Sequence, residues 1–344
     1  MRLSDLENFF EAAKTKPEHI RTVCRDLLHI RSYEPKPNRL LPARLLNGLP
    51  LLRKDFESVL TVVDTKVSED AQSQKFLFAL KDGRTIESVL LPREACCVSC
   101  QVGCAVGCVF CTTGQSGLIR QLDPIEIIAQ AAYAIGLRPS TKRVVFMGMG
   151  EPSHNLGAVM RAVDFLAEFG ELKYKDLVIS SVGDRRLFKT LMDRRIKPAL
   201  ALSLHSTQDS VRRKLLPNAP AVPVGELFQL GEEYARAGKY PIQYEWTLID
   251  GVNDSQEEIS NLKELLKNRY AMINFIAYNP VPGSSFKRPP RKKMLSIIRD
   301  LRNSGCIATI RDSAAQGIEG GCGQLRARHI KTEVLAPMVP ILKE

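Results

Sequence analysis

The sequence lacks an uninterrupted apolar stretch at its N-terminus. The opening segment, MRLSDLENFFEAAKTKPEHIRTVC, mixes acidic and basic side chains with the apolar ones, which excludes a signal peptide or a membrane span there. Internal repeats and long low-complexity segments are also lacking. We therefore expect a cytoplasmic protein, a monomer by default, that makes no use of a membrane and keeps its thiols reduced.

The composition indicates that the chain does not need disulfides or a structural metal ion to fold. A chain of 344 residues that is 44% hydrophobic can bury a large core without disulfides or metal, so its nine cysteines need another explanation. The net charge of +11 falls partly in short basic clusters such as Arg212-Arg213-Lys214 and Arg291-Lys292-Lys293. Such clusters can neutralise the phosphates of a nucleic acid, although a modest basic excess also occurs on ordinary enzymes.

The pattern of apolar residues changes twice along the chain. Residues 1–58 are helical with a proline-broken stretch, and short β-rich runs separated by polar turns begin at Val59, which predicts a small antiparallel sheet. Beyond the cysteine run, strand-like segments alternate with helical ones; the strands read RVVFMGM, DLVISS, PALALSLH, PIQYEWTLI and MINFIAYN. With one strand before the cysteines, this makes about six β/α units.

We therefore predict an α/β fold, an open partial (β/α)6 barrel with a small N-terminal α+β accessory region. The expected boundaries are 1–92 for the accessory region, 93–312 for the barrel and 313–344 for a C-terminal tail. In such a barrel the chemistry lies in loops at the C-terminal ends of the strands. Three unusual segments fall there, namely GMGEP at 148–152, SLH at 203–205 and YNPVPG at 278–283.

The segment CVSCQVGCAVGCVFC, residues 97–111, permits two metal-binding interpretations. Cys97, Cys100, Cys108 and Cys111 form two C-x-x-C pairs that would suit a tetrahedral zinc ion, although the gap between the pairs is short and Cys104 would be left idle. Alternatively, Cys104, Cys108 and Cys111 ligate three irons of a [4Fe–4S] cluster and leave the fourth iron open. Simple buried thiols are the third interpretation.

The open iron favours a small-molecule ligand. S-adenosylmethionine can chelate it through its amino and carboxylate groups, and the reduced cluster can then cleave the sulfonium. The preceding strand is expected to end near Ser99 and the next helix to start around Pro124. In GMGEP, glycines allow close approach to a ligand and Glu151 can accept from an ammonium group, although the loop alone is equally consistent with a tight turn.

Taken together, the motifs resemble the radical SAM superfamily and, within it, the RlmN/Cfr family of RNA adenine methyltransferases. The resemblance runs over roughly residues 84–326. It implies a partial barrel with a [4Fe–4S] cluster on Cys104, Cys108 and Cys111, an RNA substrate, and an electron donor such as flavodoxin or ferredoxin. It also implies contacts to S-adenosylmethionine from Gly150, Glu151, Ser180, Ser203, Leu204, His205 and Asn279. Strand-end capping or a turn before proline is the alternative role for Ser203, His205 and Asn279.

The same resemblance assigns roles to three further residues. Cys322 would be methylated on sulfur, and its methyl group would lose a hydrogen atom to a deoxyadenosyl radical before adding to the base. Cys97 would release the product by forming a transient disulfide with Cys322, and Glu87 would accept the ring proton. From its sequence context alone, Glu87 is expected to be an exposed strand residue.

Two segments depart from the family pattern. The chain has Ala314-Ala315-Gln316-Gly317 where the family usually carries a second arginine, a glycine and acidic residues, and residues 1–58 lack an aromatic-rich helical pattern. The leading hypothesis is methylation of an adenine in ribosomal or transfer RNA, at carbon 2, with carbon 8 still open. The second hypothesis is a non-catalytic iron–sulfur or zinc RNA-binding protein.

Overall fold

The computed structural model describes residues 1–29, 41–281, 283–311 and 315–326. Most of the predicted C-terminal tail, 313–344, lies outside these residues, and so does much of the proline-broken N-terminal stretch. Within the described ranges, every helix is too short or too polar to cross a bilayer.

The N-terminal region has the predicted order of helices followed by antiparallel strands. The helices are α1 (Leu3–Ala12), α2 (Pro17–Leu28) and α3 (Ala43–Glu57), and the strands are β1 (Thr61–Val67), β2 (Gln74–Ala79) and β3 (Thr85–Leu91). The helices pack on the main body, where the Leu3 amide donates to Asp123 at 3.2 Å and Glu7 pairs with Arg161. One hydrophobic core runs through both parts.

The accessory strands are hydrogen-bonded to the main sheet. Strand β4 (Ala95–Cys97) pairs antiparallel with β3 and parallel with the next strand of the main sheet, so a single sheet has ten strands. The cysteine loop after β4 contains the hairpin strands β5 (Gln101–Gly103) and β6 (Leu118–Gln121) around the short helix α4 (Thr112–Gln115). The loop therefore leaves the sheet from its first parallel strand.

Parallel strands continue the sheet in chain order, each followed by helical structure on the outside. The strands are β7 (Arg143–Phe146), β8 (Leu177–Ser181), β9 (Ala199–Ser203), β10 (Ile242–Leu248), β11 (Ala271–Ala277) and β12 (Ala308–Arg311). The helices are α5 (Pro124–Leu137), α6 (Leu156–Phe169), α7 (Arg185–Met192), α8 (Asp209–Leu215), α9 (Val224–Gly238), α10 (Gln256–Leu266) and α11 (Arg291–Asn303), with 3-10 turns at Pro152–Asn155, Tyr174–Asp176 and Gln316–Ile318. This order confirms the predicted α/β partial barrel.

The helix expected around Pro124 begins at that residue. Asp123 accepts from the Ile125 amide at 3.0 Å and forms a capping box with Glu126. The first amides of a helix have no partner within it, and Pro124 at the first position has no amide hydrogen to leave unpaired. Helix α5 is buried on nearly every face because α2 and α6 both pack against it.

Two details of the sheet differ from the prediction. The strand before the cysteine loop ends at Cys97 rather than near Ser99. A further parallel strand, β12, follows α11 and pairs with β11. Its sequence, ATIR, is too short to show an alternating pattern, so its extended form depends on the hydrogen bonds that β11 offers.

Candidate active site

A cavity opens at the C-terminal edge of the parallel strands. It is lined by the cysteine loop, by the residues that end or follow β7 to β11, and by the loop that carries Cys322. Parallel strands bring their carboxyl ends to one edge, so residues far apart in sequence converge there. The predicted residues that line the cavity are Cys104, Cys108, Cys111, Gly150, Glu151, Ser180, Ser203, His205, Asn279 and Cys322.

Backbone contacts fix the cysteine loop. The Cys104 amide donates to the carbonyl of Gly117 at 2.9 Å, and the Cys111 amide donates to Cys108 at 3.0 Å. Gly103 has a positive φ of 82°, and a Cβ there would lie 1.9 Å from the Gly117 carbonyl oxygen. Only glycine fits this close approach. The backbone contact between Gly103 and Gly117 places Cys104 at the cavity wall.

The environment of Cys104, Cys108 and Cys111 suits them to ligate a cationic iron–sulfur cluster. Burial is the main cause that raises the pKa of Cys104, to about 12, and of Cys108. Mutual charge repulsion among the three thiols adds to the effect at Cys108. Three neighbouring thiolates therefore need a cation to stabilise them, and Cys104, Cys108 and Cys111 are the residues that would hold the cluster.

The arrangement is less suited to a four-thiolate zinc ion. Cys108 and Cys111 line the cavity, whereas Cys97 and Cys100 are buried outside its lining. A tetrahedral site would need all four sulfurs around one ion.

Glu151 is fixed in the GMGEP loop. Its carboxylate accepts from the hydroxyl of Ser181 at 2.6 Å and from the amides of Ser153 and Val182, each at 3.0 Å. Its own amide donates to Oε1 of Gln101 at 2.7 Å. An acceptor-rich group held in this way is placed to bind a cation such as the ammonium of S-adenosylmethionine.

Replacing Gly150 with alanine is expected to destabilise the protein by about 1–3 kcal/mol and to weaken S-adenosylmethionine binding. Gly150 has a φ of 106°, and an added Cβ would lie 2.6 Å from Cβ of Gln101, the residue that holds the Glu151 amide. Thermal unfolding and isothermal titration with S-adenosylmethionine measure both effects. Gly157→Ala is the control, because nothing lies within 4 Å of its Cβ position in α6; equal losses in the two variants would contradict this account.

The residues at the ends of β8 and β9 differ in their surroundings. The hydroxyls of Ser180 and Ser203 lie 3.5 Å apart and both face the cavity. His205 has a positive φ of 62°, and its Nδ1 accepts from the Thr247 amide at 3.0 Å. Burial lowers the pKa of His205 to about 3, with a contribution from Arg212. Leu204 is fully buried in the core rather than in the cavity lining.

Asn279 contacts the backbone of the reactive-cysteine loop. Its Nδ2 donates to the carbonyl of Cys322 at 3.0 Å, and its Oδ1 accepts from Arg288 at 3.2 Å. The Thr112 amide donates to the carbonyl of Gly323 at 2.7 Å. These bonds hold Cys322 beside the three cluster cysteines.

Cys322 is accessible from the cavity. The structure describes all nine cysteines, and Cys322 is the only exposed one. The surrounding protein nevertheless excludes much of the water, and this desolvation, with the charge of Glu245 next in size, raises the pKa of Cys322 to about 11. The raised pKa keeps this thiol protonated at neutral pH, so a reaction of the Cys322 sulfur as a nucleophile requires removal of its proton.

Cys97 and Glu87 lie behind the cavity wall. Cys97 is a free thiol in β4, and burial raises its pKa, with the charge of Cys322 as the second cause. Glu87 is only 1% exposed, contrary to the exposed position its sequence context suggests. It pairs with the buried Lys75 at 3.3 Å and accepts from the Arg326 amide at 2.9 Å, so it ties the Cys322 loop to the sheet.

Sequence reasoning missed two charged residues of the cavity region. Glu245 lies in β10 and lines the cavity. The sequence feature that could have identified it is an acidic residue within the otherwise apolar run PIQYEWTLI. Arg212, taken as part of a surface cluster, is 5% exposed and donates to the carbonyl of Val182. Burial lowers its pKa to about 10. The basic cluster 212–214 is therefore not a continuous surface patch.

Comparison with known proteins is consistent with this geometry. The model of the radical SAM superfamily matches residues 98–270. The chain is 48% identical to a probable RNA methyltransferase of Azoarcus sp. (strain BH72), over 97% of this chain and 96% of the relative. It is 46% identical to one of Stutzerimonas stutzeri (strain A1501), over 95% and 97%.

A solved structure also matches over nearly the full length. The crystal structure of a radical SAM methyltransferase from Sphaerobacter thermophilus gives a TM-score of 0.82 at 32% identity and covers 95% of this chain and 98% of that chain. The superfamily implies a [4Fe–4S] cluster and S-adenosylmethionine, which the cavity residues fit. The chain thus belongs to the radical SAM superfamily, as one of its S-adenosylmethionine-dependent methyltransferases.

Proposed function

We propose that this enzyme methylates carbon 2 of an adenine in ribosomal or transfer RNA through an S-methylated Cys322. The observation that carries the proposal is the placement of Cys322: an accessible thiol in the cavity that the three cluster cysteines also line. The names of the two relatives, probable RNA methyltransferases, support RNA as the substrate. We also propose a cytoplasmic monomer that receives electrons from a flavodoxin or ferredoxin.

The chain's own residues have distinct tasks in this reaction. When bound, the cluster and S-adenosylmethionine supply a methyl group and a carbon-centred radical. Glu151, Ser180, Ser203 and His205 bind and orient the ligand, and Asn279 fixes the backbone of Cys322. A radical is needed because the amidine carbon of adenine is too weak a nucleophile for ordinary displacement.

Release of the product requires two further residues. The Cys97 thiolate attacks the Cys322 sulfur and forms a disulfide with it. The electron pair of the broken carbon–sulfur bond passes to the product carbon, which takes up a proton and becomes the methyl group. Glu87 accepts the ring proton. In the structure one carboxylate oxygen pairs with the Lys75 ammonium and the other accepts from the Arg326 backbone amide, so this role requires one of those contacts to open.

Mass spectrometry of adenosine nucleosides tests the proposal. Ribosomal and transfer RNA from cells with the gene is expected to contain a C-methylated adenosine that cells without the gene lack. Re-expression of the wild-type chain should restore it, and Cys322→Ala should not. Identical adenosine profiles in both RNA pools would overturn the RNA assignment while leaving the enzyme class intact.

A further inference from the structure

The accessory strands contain a buried ion pair. Lys75 of β2 is 4% exposed and Glu87 of β3 is 1% exposed, and the Lys75 ammonium lies 3.3 Å from Oε1 of Glu87. Leu77 is directly opposite Glu87 in the antiparallel register, so Lys75 reaches Glu87 diagonally on the same face of the sheet. Removing two charges from water costs free energy that their attraction does not always offset. Stability alone is therefore a weak reason for this pair.

Both members of the pair contact the Cys322 loop, which runs from Glu319 to Arg326. The Lys75 ammonium donates to the backbone carbonyl of Glu319 at 3.2 Å. Oε2 of Glu87 accepts from the Arg326 amide at 2.9 Å. One buried ion pair of the accessory strands thus anchors both ends of the loop that carries Cys322.

The middle of the Cys322 loop is a tight turn. The Gln324 amide donates to the Gly321 carbonyl at 3.0 Å, and Gly323 has a positive φ of 84°. A glycine with positive φ at the third position is typical of a type II turn, which places Cys322 at the second position. Because such a turn moves as a unit, the position of the Cys322 sulfur depends on where the two ends of the loop are anchored.

The side chain of Glu319 contributes much less to this anchoring than its backbone does. Its carboxylate is 49% exposed and lies 3.5 Å from the Lys66 ammonium and 3.9 Å from the Lys75 ammonium. Solvent-exposed ion pairs contribute little to stability. The hydrogen bond from Lys75 to the Glu319 carbonyl is made by a buried ammonium, and bonds to charged groups are among the stronger ones. Lys75 is therefore the side chain that fixes this end of the loop.

We propose that Lys75 is a positioning residue through which the accessory strands hold Cys322 in place for methylation by S-adenosylmethionine. The inference rests on the proposed function, because it takes Cys322 as the methylated residue. In that step a sulfur–carbon bond replaces the sulfur–hydrogen bond of Cys322, the proton passes to water, and S-adenosylmethionine leaves as S-adenosylhomocysteine. Lys75 acts through the loop backbone and takes no part in the bond changes. A reacting atom misplaced by about 1 Å can cost about 100-fold in rate.

Hydrogen exchange tests the anchoring without S-adenosylmethionine or RNA. In cluster-reconstituted protein, Lys75→Met should raise the exchange rate of the amides in residues 319–326 about tenfold, while peptides from the parallel strands exchange as in the wild type. Lys66→Met is the matched control, because Lys66 reaches the exposed carboxylate of Glu319 and not the loop backbone; its exchange should equal that of the wild type. Unchanged exchange of the loop in Lys75→Met would overturn the inference.

Intact-mass measurement tests the consequence for the reaction. Wild-type protein supplied with S-adenosylmethionine should gain one methyl group on Cys322, and Lys75→Met should gain it about 100-fold more slowly. The dissociation constant of S-adenosylmethionine, measured by isothermal titration, should not change, because Lys75 contacts the loop and does not line the cavity. Equal methylation rates, or a loss of affinity that accounts for the whole effect, would contradict a positioning role.

Variants of Glu87 separate the lost anchor from the effect of an unpaired charge. Lys75→Met leaves the Glu87 carboxylate buried without its cation, which by itself destabilises the fold. Glu87→Gln removes that charge, so Lys75→Met/Glu87→Gln should unfold at nearly the same temperature as Glu87→Gln. The double variant should nevertheless methylate Cys322 more slowly than Glu87→Gln, because it lacks the bond to the Glu319 carbonyl. Equal rates in these two variants would show that Lys75 only neutralises Glu87.

The two readouts also separate this inference from the proposed function. If the wild type never gains a methyl group on Cys322, the proposed function fails, and hydrogen exchange still decides whether Lys75 anchors the loop. If the wild type is methylated and the loop amides exchange equally in Lys75→Met, the assignment of Lys75 alone fails.

Discussion

Cys322→Ala is expected to abolish methyl transfer to RNA, with a loss of at least a thousandfold that reaches the detection limit. The variant removes the sulfur that would carry the methyl group, and the cavity residues beside it include no other accessible thiol outside the cluster loop. Transfer is measured as methylated adenosine formed in RNA from cells that lack the gene.

The fold of this variant should be preserved. Alanine keeps the backbone carbonyl that accepts from Asn279, and Cys322 is exposed, so little packing is lost. Cys306→Ala is the matched control, because Cys306 is a partly accessible cysteine that does not line the cavity and whose sulfur lies 3.7 Å from the Ser304 hydroxyl. Undiminished transfer by Cys322→Ala would rule out a methylated-cysteine route.

Cys97→Ala is expected to stall the reaction after the base has been attached to the protein. Cys97 is a buried free thiol whose pKa is raised by burial and by the charge of Cys322, and the proposed function assigns it to resolve the Cys322–base bond. Multiple turnover should fall at least a hundredfold. A covalent protein–RNA species should survive denaturing electrophoresis and disappear after ribonuclease treatment.

Two variants test that assignment. Cys96→Ala is the neighbouring control: successive strand residues point to opposite faces, so Cys96 faces away from Cys97, and no adduct should accumulate. The double variant Cys97→Ala/Cys322→Ala should also yield no adduct, because the attachment point is gone. Wild-type turnover by Cys97→Ala would remove its resolving role.

The cysteine loop and the segments that follow the strands could be predicted from the sequence, because their geometry depends on neighbouring residues. Cys104, Cys108 and Cys111 lie on one loop after a strand, and their spacing already restricts what they can bind. The segments that contain Glu151, His205 and Asn279 each follow an apolar strand, and parallel strands align their carboxyl ends. The convergence of these residues on one cavity is therefore predictable without coordinates.

Contacts between residues that lie far apart in the sequence could not be predicted in this way. Nothing near Glu87 in the sequence indicates that its carboxylate is buried and contacts the Lys75 ammonium and the Arg326 backbone amide. Strand β12 has too few residues for a periodic signal, yet it supplies Thr309 and Arg311 to the support of Glu245. Leu204 directly follows β9 and lies between two cavity residues, yet its side chain is fully buried in the core.

The sequence by itself determined the fold class, the cluster loop and the strand ends that form the cavity, because strand periodicity and loop spacing are local properties of the chain. The tertiary structure alone decided which carboxylates are paired, and that Cys97 is buried while Cys322 borders the cavity. Those outcomes depend on burial and on contacts between residues more than 200 positions apart, where the desolvation of a charge is set by neighbours that local sequence does not identify.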